Sequence, residues 1–165
     1  MLPVSGLCRL AGAALVLSLT MPVIVEAASP EATLIKSRQD KLRDMGGALK
    51  AIDDELKKGS PDWDNIILPN ADTLQGRSAF LLNWFPKGSG PESGVKTYAL
   101  PALWQKGDDF TKLGKAMQAE TAKLKQVAAT KNAGALKDEA FTLGKACKAC
   151  HDNYRSPDYE KENDD

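Results

Sequence analysis

The sequence holds a single histidine, His151, and no surplus of charge: 22 lysines and arginines balance 22 aspartates and glutamates. One histidine excludes histidine-rich metal centres and makes any Ser-His-Asp or Cys-His scheme depend on one position. Charge balance without a basic block argues against nucleic acid as a partner. Aromatic residues are scarce, at 6%. No alternating strand pattern, hairpin turn or fixed-period repeat is found, which leaves an all-α chain. Hydrophobic residues at 42% and charged residues at 27% are ordinary for a globular protein and exclude wholesale disorder. At 165 residues the chain is one domain, or one domain with a tail.

Residues 1–27 differ from the rest. Arg9 precedes an apolar stretch from Leu10 to Val25, interrupted by Gly12, Ser18, Thr20 and Pro22, and Val25-Glu26-Ala27 offers small residues where a signal peptidase looks. The competing reading, a retained membrane anchor, wants about 20 uninterrupted apolar residues. The expectation is a cleaved secretory leader cut after Ala27 and a periplasmic product. Cys8 would leave with the leader.

Apolar residues then recur in steps of three and four, the mark of a helix seam. The first seam is Ile35, Arg38, Leu42, Met45, Leu49, Ile52, Leu56, ended by Gly59-Ser60-Pro61. The second runs Ile67, Ala71, Leu74, Ser78, Leu81, Phe85, with Pro69 predicting an irregular first turn. Residues 86–100, rich in glycine and proline, read as a long loop. The third seam runs Leu103, Phe110, Leu113, Met117, Thr121, Leu124, Ala128 behind Pro101, and the fourth Leu136, Ala140, Leu143, Cys147, Cys150, Tyr154. Four helices with these links predict an antiparallel four-helix bundle over residues 28–157. Residues 158–165 read as an acidic, disordered tail. Arg38 stands on an otherwise apolar stripe. It needs a buried partner, or it lies near the bundle end and snorkels to water.

Cys147-Lys148-Ala149-Cys150-His151 is the attachment signal for c-type haem. Two thiols one helical turn apart reach the two vinyl groups of one porphyrin edge, and the following imidazole can swing under the iron as axial ligand. A zinc site would want four ligands, a thioredoxin-like pair a βαβ setting, and a plain disulfide would leave the histidine unexplained.

The arrangement resembles the cytochrome c′ family, which carries its haem motif in the last of four helices. Arg38-Gln39 with Leu42 and Met45-Gly46-Gly47 is similar to the family's first helix. Leu100-Pro101-Ala102-Leu103-Trp104, with Phe110 after it, is similar to the start of its third. Cys147 to Arg155 is similar to its last. The resemblance implies one haem c bound through Cys147 and Cys150, with His151 as the proximal ligand. It places Arg38 near a haem propionate, Arg155 beside the proximal imidazole and Phe85 along the distal pocket. It also implies antiparallel dimers through the first two helices. The position that holds a ligating methionine in low-spin relatives is Leu42, which implies five-coordinate, high-spin iron. Met45, on the same helix face, is either core packing or a sixth ligand reached by rotation of the helix. The implied role is electron transfer to an unnamed redox partner, with uptake of nitric oxide or carbon monoxide as the alternative. Catalysis is not expected, since the one histidine is already used and no distal acid–base residue is in view.

Overall fold

The structure, a computed structural model, describes residues 28–163. The expected leader lies outside the described residues. No helix among the described residues is long and apolar enough to cross a membrane.

Helix α1 (Pro30–Leu56) begins where Ser29 accepts a hydrogen bond from the Ala32 amide at 3.1 Å, with Pro30 in the first turn, where no N–H is needed. Its seam buries Ile35, Arg38, Met45 and Ile52, while Leu42, Leu49 and Leu56 are half-buried. Ala48 and Glu55 are buried as well, because a straight helix at 3.6 residues per turn drifts off a 3.5-residue seam. Glu55 ties the exit of α1 to the next turn of chain: its carboxylate accepts from the Asp62 amide at 2.8 Å and pairs with Lys58.

Pro69 does coincide with an irregular start. The chain makes a wide turn over Trp63–Ile67, with the Ile67 amide reaching back five residues to the Asp62 carbonyl, and enters α2 (Leu68–Ser78). The second seam predicts one helix up to Phe85, and the structure breaks it. Gln118 donates to the Ser78 and Ala79 carbonyls, and the Ser78 and Thr121 hydroxyls meet at 2.6 Å. These side chains satisfy the end of α2, and a tight turn over Leu81–Trp84 carries the chain on. The third seam is likewise split into α3 (Ala102–Gln105) and α4 (Gly107–Ala129), the helix breaking at Lys106. Asn132 caps α5 (Ala133–Tyr154) through the Ala135 amide.

Cross-helix pairs give the directions. Arg77 on α2 meets Asp44 on α1, Lys125 on α4 meets Asp72 on α2, and Lys123 on α4 meets Glu139 on α5 while Tyr154 meets Asp109. Successive long helices therefore run antiparallel, and α5 packs back on α1 to close the bundle. The core between them is apolar, with Ile52, Ile67, Leu74, Leu124, Leu136 and Leu143 almost wholly buried.

Besides the Ser78–Thr121 hydroxyl pair, a pair of carboxylates lies at its edge, between α4 and α5. Glu139 on α5 is 4% exposed, and its Oε1 and the buried Oε2 of Glu120 on α4 have no hydrogen-bond partner as ionised groups. A proton on Glu120 lets it donate to Glu139, and that hydrogen bond raises the Glu120 carboxyl above its ordinary value. A raised carboxyl favours the folded state in acid and loses that advantage as pH climbs through the raised value. Glu120→Gln supplies a permanent donor. It should raise the melting temperature at neutral pH by roughly 2–4 °C and leave it unchanged in acid, as a pair of thermal melts would read.

The C-terminus corrects a sequence expectation. Asp158–Asn163 is not disordered but forms a short helix, α6. Acidic composition suggests a solvated end, yet Glu162 pairs with Lys96 and accepts from the Tyr98 hydroxyl at 2.8 Å, and the Tyr98 and Tyr159 rings meet edge to face at 5.2 Å.

Candidate haem-attachment site

Cys147 and Cys150 lie one turn apart on the inner side of α5, and both are free, half-buried thiols. Cys147 rests against the main core together with Leu42 and Phe85. Cys150 rests against a second cluster of Leu103, Phe110 and Tyr154, flanked by Phe85 and Trp104. Burial raises the Cys147 thiol, and burial, with Cys147 and Asp109 nearby, pushes Cys150 up to about 11. His151 moves the other way, down to about 4, first through burial and then through the Arg155 cation. Its imidazole is neutral at physiological pH, with a nitrogen lone pair free to bind a metal. Among the described residues no three His, Cys, Asp or Glu side chains gather as a metal-binding cluster.

Arg38 faces the same end of the bundle and is 2% exposed, so it does not snorkel. It donates to the Thr97 hydroxyl at 2.8 Å, to the Ser89 hydroxyl and carbonyl at 3.0 and 3.1 Å, and to the Trp84 carbonyl at 3.4 Å. Its guanidinium carbon lies 4.7 Å from the centre of the Phe85 ring. Among the described residues it forms no ion pair within 4.0 Å, and burial lowers it to about 10 against the opposing pull of Glu92. A buried cation served by neutral acceptors leaves room for an anion. Arg38→Leu strips one donor set from three residues of the 84–97 loop. Chemical denaturation should report a loss of about 2–4 kcal/mol, with the loop's amides losing protection first.

Leu42 is half-buried on α1 and packs against the core that also receives Cys147. Met45, 4% exposed, is a full member of that core. Phe85 joins the two clusters: its ring meets Phe110 at 5.1 Å and Trp104 at 6.5 Å, and Phe110 meets Tyr154 at 5.7 Å. Trp104 donates to the Phe85 and Pro86 carbonyls. Gly90 sits so close to Trp104 that a Cβ there would lie 2.9 Å from the indole, which fixes the loop that holds Arg38. Arg155 follows α5, its amide bonded to the His151 carbonyl and its guanidinium paired with Glu160.

Sequence reasoning misses Ser89, Thr97 and Glu160. Nothing in their spacing ties them to residues up to 59 positions away. Tyr154 and Phe110 stand out as seam residues and within the stretches that carry the family resemblance, but no pattern marks the bond from the Tyr154 hydroxyl to Asp109 at 2.7 Å.

Two thiols one turn apart on the inner face of a last helix, with an imidazole directly after them, fit a c-type haem site in a helical bundle. The Cytochrome C′ family model matches residues 33–155. The chain is 40% identical over 129 residues to cytochrome c-554 of Cereibacter sphaeroides, covering 76% of this chain and 94% of that one. A crystal structure of cytochrome c′ from Thermochromatium tepidum superposes with a TM-score of 0.71 at 29% identity, covering 78% and 98% of the two chains. A ferrous variant of the Alcaligenes xylosoxidans cytochrome c′ with bound nitric oxide does so at 0.68 and 28% identity, covering 79% and 98%. The chain belongs to the cytochrome c′ family. It binds one haem c, covalently through Cys147 and Cys150, and serves in electron transfer or gas binding.

Proposed function

We propose that this protein is an exported, periplasmic electron carrier whose iron is held by His151 alone among its side chains, with the opposite coordination position open. The bound haem supplies a one-electron couple and, at that open position, a place for nitric oxide or carbon monoxide. The chain's own residues do the rest. Cys147 and Cys150 anchor the group to α5. His151, neutral in its buried setting, offers a lone pair without first losing a proton. Arg38 presents a cation to a propionate, and Phe85 lies against that cation. Leu42 covers the far side with hydrocarbon, which has no lone pair to give.

The observation that carries this reading is the different standing of the two α1 side chains. Leu42 is half-buried at the family's ligand position, whereas Met45 is held at 4% exposure inside the core. Packing accounts fully for the methionine. The gas-binding reading draws on the same apolar cover and on the nitric oxide bound by the Alcaligenes relative. Leu42→Ala tests both. Carbon monoxide should bind the reduced variant faster than the unmodified protein by about tenfold, the equivalent of 1.4 kcal/mol of steric barrier. An equal rate in both would mean that Leu42 does not stand over the open position.

A further inference from the structure

Helix α6 contributes no residue to the haem site, yet it is bound closely to the side of the molecule that carries His151. The chain leaves α5 through a short antiparallel bridge between Ala99 and Arg155: the Leu100 amide donates to the Tyr154 carbonyl at 2.9 Å and the Ser156 amide to the Tyr98 carbonyl at 2.7 Å. Ser156 then accepts from the Asp158 amide and opens α6. From α6, Glu160 pairs with the Arg155 guanidinium, and the Tyr159 ring lies 4.5 Å from its central carbon. Glu162 fastens the far end to Lys96 and Tyr98. Arg155 is thus gripped on two sides by a segment reached through Pro157. The Arg155 side chain is only 27% exposed, while Glu160 is 52% exposed.

We infer that α6 is a strap that positions Arg155 and offsets its charge beside His151, so that Glu160 and Tyr159 set the reduction potential of the iron. This rests on His151 being the iron's ligand. A cation near the iron favours the reduced state, which carries one positive charge fewer, and a carboxylate paired with that cation weakens the preference. Burial strengthens the effect and salt weakens it. Glu160 and Tyr159 are positioning residues: they touch Arg155 rather than the iron's ligand.

The test compares the midpoint potential of the haem-bound full chain with that of Glu160→Gln, at low and high salt, and repeats the substitution in an Arg155→Gln background. Amide exchange over residues 155–163 is followed in parallel. The strap predicts an upward shift for Glu160→Gln that shrinks with salt and largely disappears when Arg155 is already gone. Tyr159→Leu should also shift the potential, and the exchange data should show faster opening of α6 in both single variants. An unchanged potential in Glu160→Gln overturns the inference, and so does a shift of equal size with and without Arg155. Both results leave a normal His151-ligated spectrum, so they are distinct from failure of the ligation itself, in which the spectrum of the unmodified protein would already be wrong.

Discussion

Leu42→Met should convert the ferric iron from high-spin to low-spin. Leu42 is half-buried on α1, facing the core that receives Cys147 from α5, so a thioether at this position is presented to the same interior. Sulfur brings a lone pair where hydrocarbon has none, and a methionine with a histidine opposite gives a six-coordinate centre. The volume change is small for a flexible, unbranched side chain, so the fold should hold within about 1.5 kcal/mol. Carbon monoxide must then displace sulfur, and its binding to the reduced protein should slow by at least about tenfold. Optical spectra and stopped-flow rates read both effects. A variant that stays high-spin would mean that position 42 does not face the iron.

His151→Ala should separate attachment from ligation. The thioethers form at Cys147 and Cys150, so the variant, produced in a host that attaches haem, should still stain for haem on a denaturing gel. Its native spectrum should change completely, because no other imidazole exists in the sequence to replace the lost ligand. Added imidazole should restore much of the original spectrum by filling the space left behind. An unaltered spectrum in His151→Ala would place the ligand elsewhere.

Much of this architecture is legible in the sequence because it rests on local rules. Steps of three and four mark the helices, since those spacings return side chains to one face. Cys147, Cys150 and His151 are adjacent, so their joint chemistry can be read without a fold. Pro69 marks an irregular turn because it lacks an N–H. The features that escape the sequence depend on partners distant in the chain. The end of α2 is set by Gln118 reaching to the Ser78 and Ala79 carbonyls, 40 and 39 residues away, rather than by a local helix breaker. The need of Arg38 for a partner is legible, but Ser89 and Thr97 as its acceptors are not, because the loop carrying them has no period. The acidic end looks solvated by composition alone, while its order comes from Tyr98, Lys96 and Arg155.

The most direct test of five-coordinate iron is the electron-paramagnetic-resonance spectrum of the purified, oxidised, haem-bound protein. The proposed ligation by His151, with Leu42 over the open position, predicts a mainly high-spin ferric signal, and nitric oxide added to the reduced protein should bind without first displacing a side chain. A low-spin signal with sulfur on the iron of the unmodified protein would contradict an open coordination position. It would make Met45 the sixth ligand and leave simple electron transfer as the function.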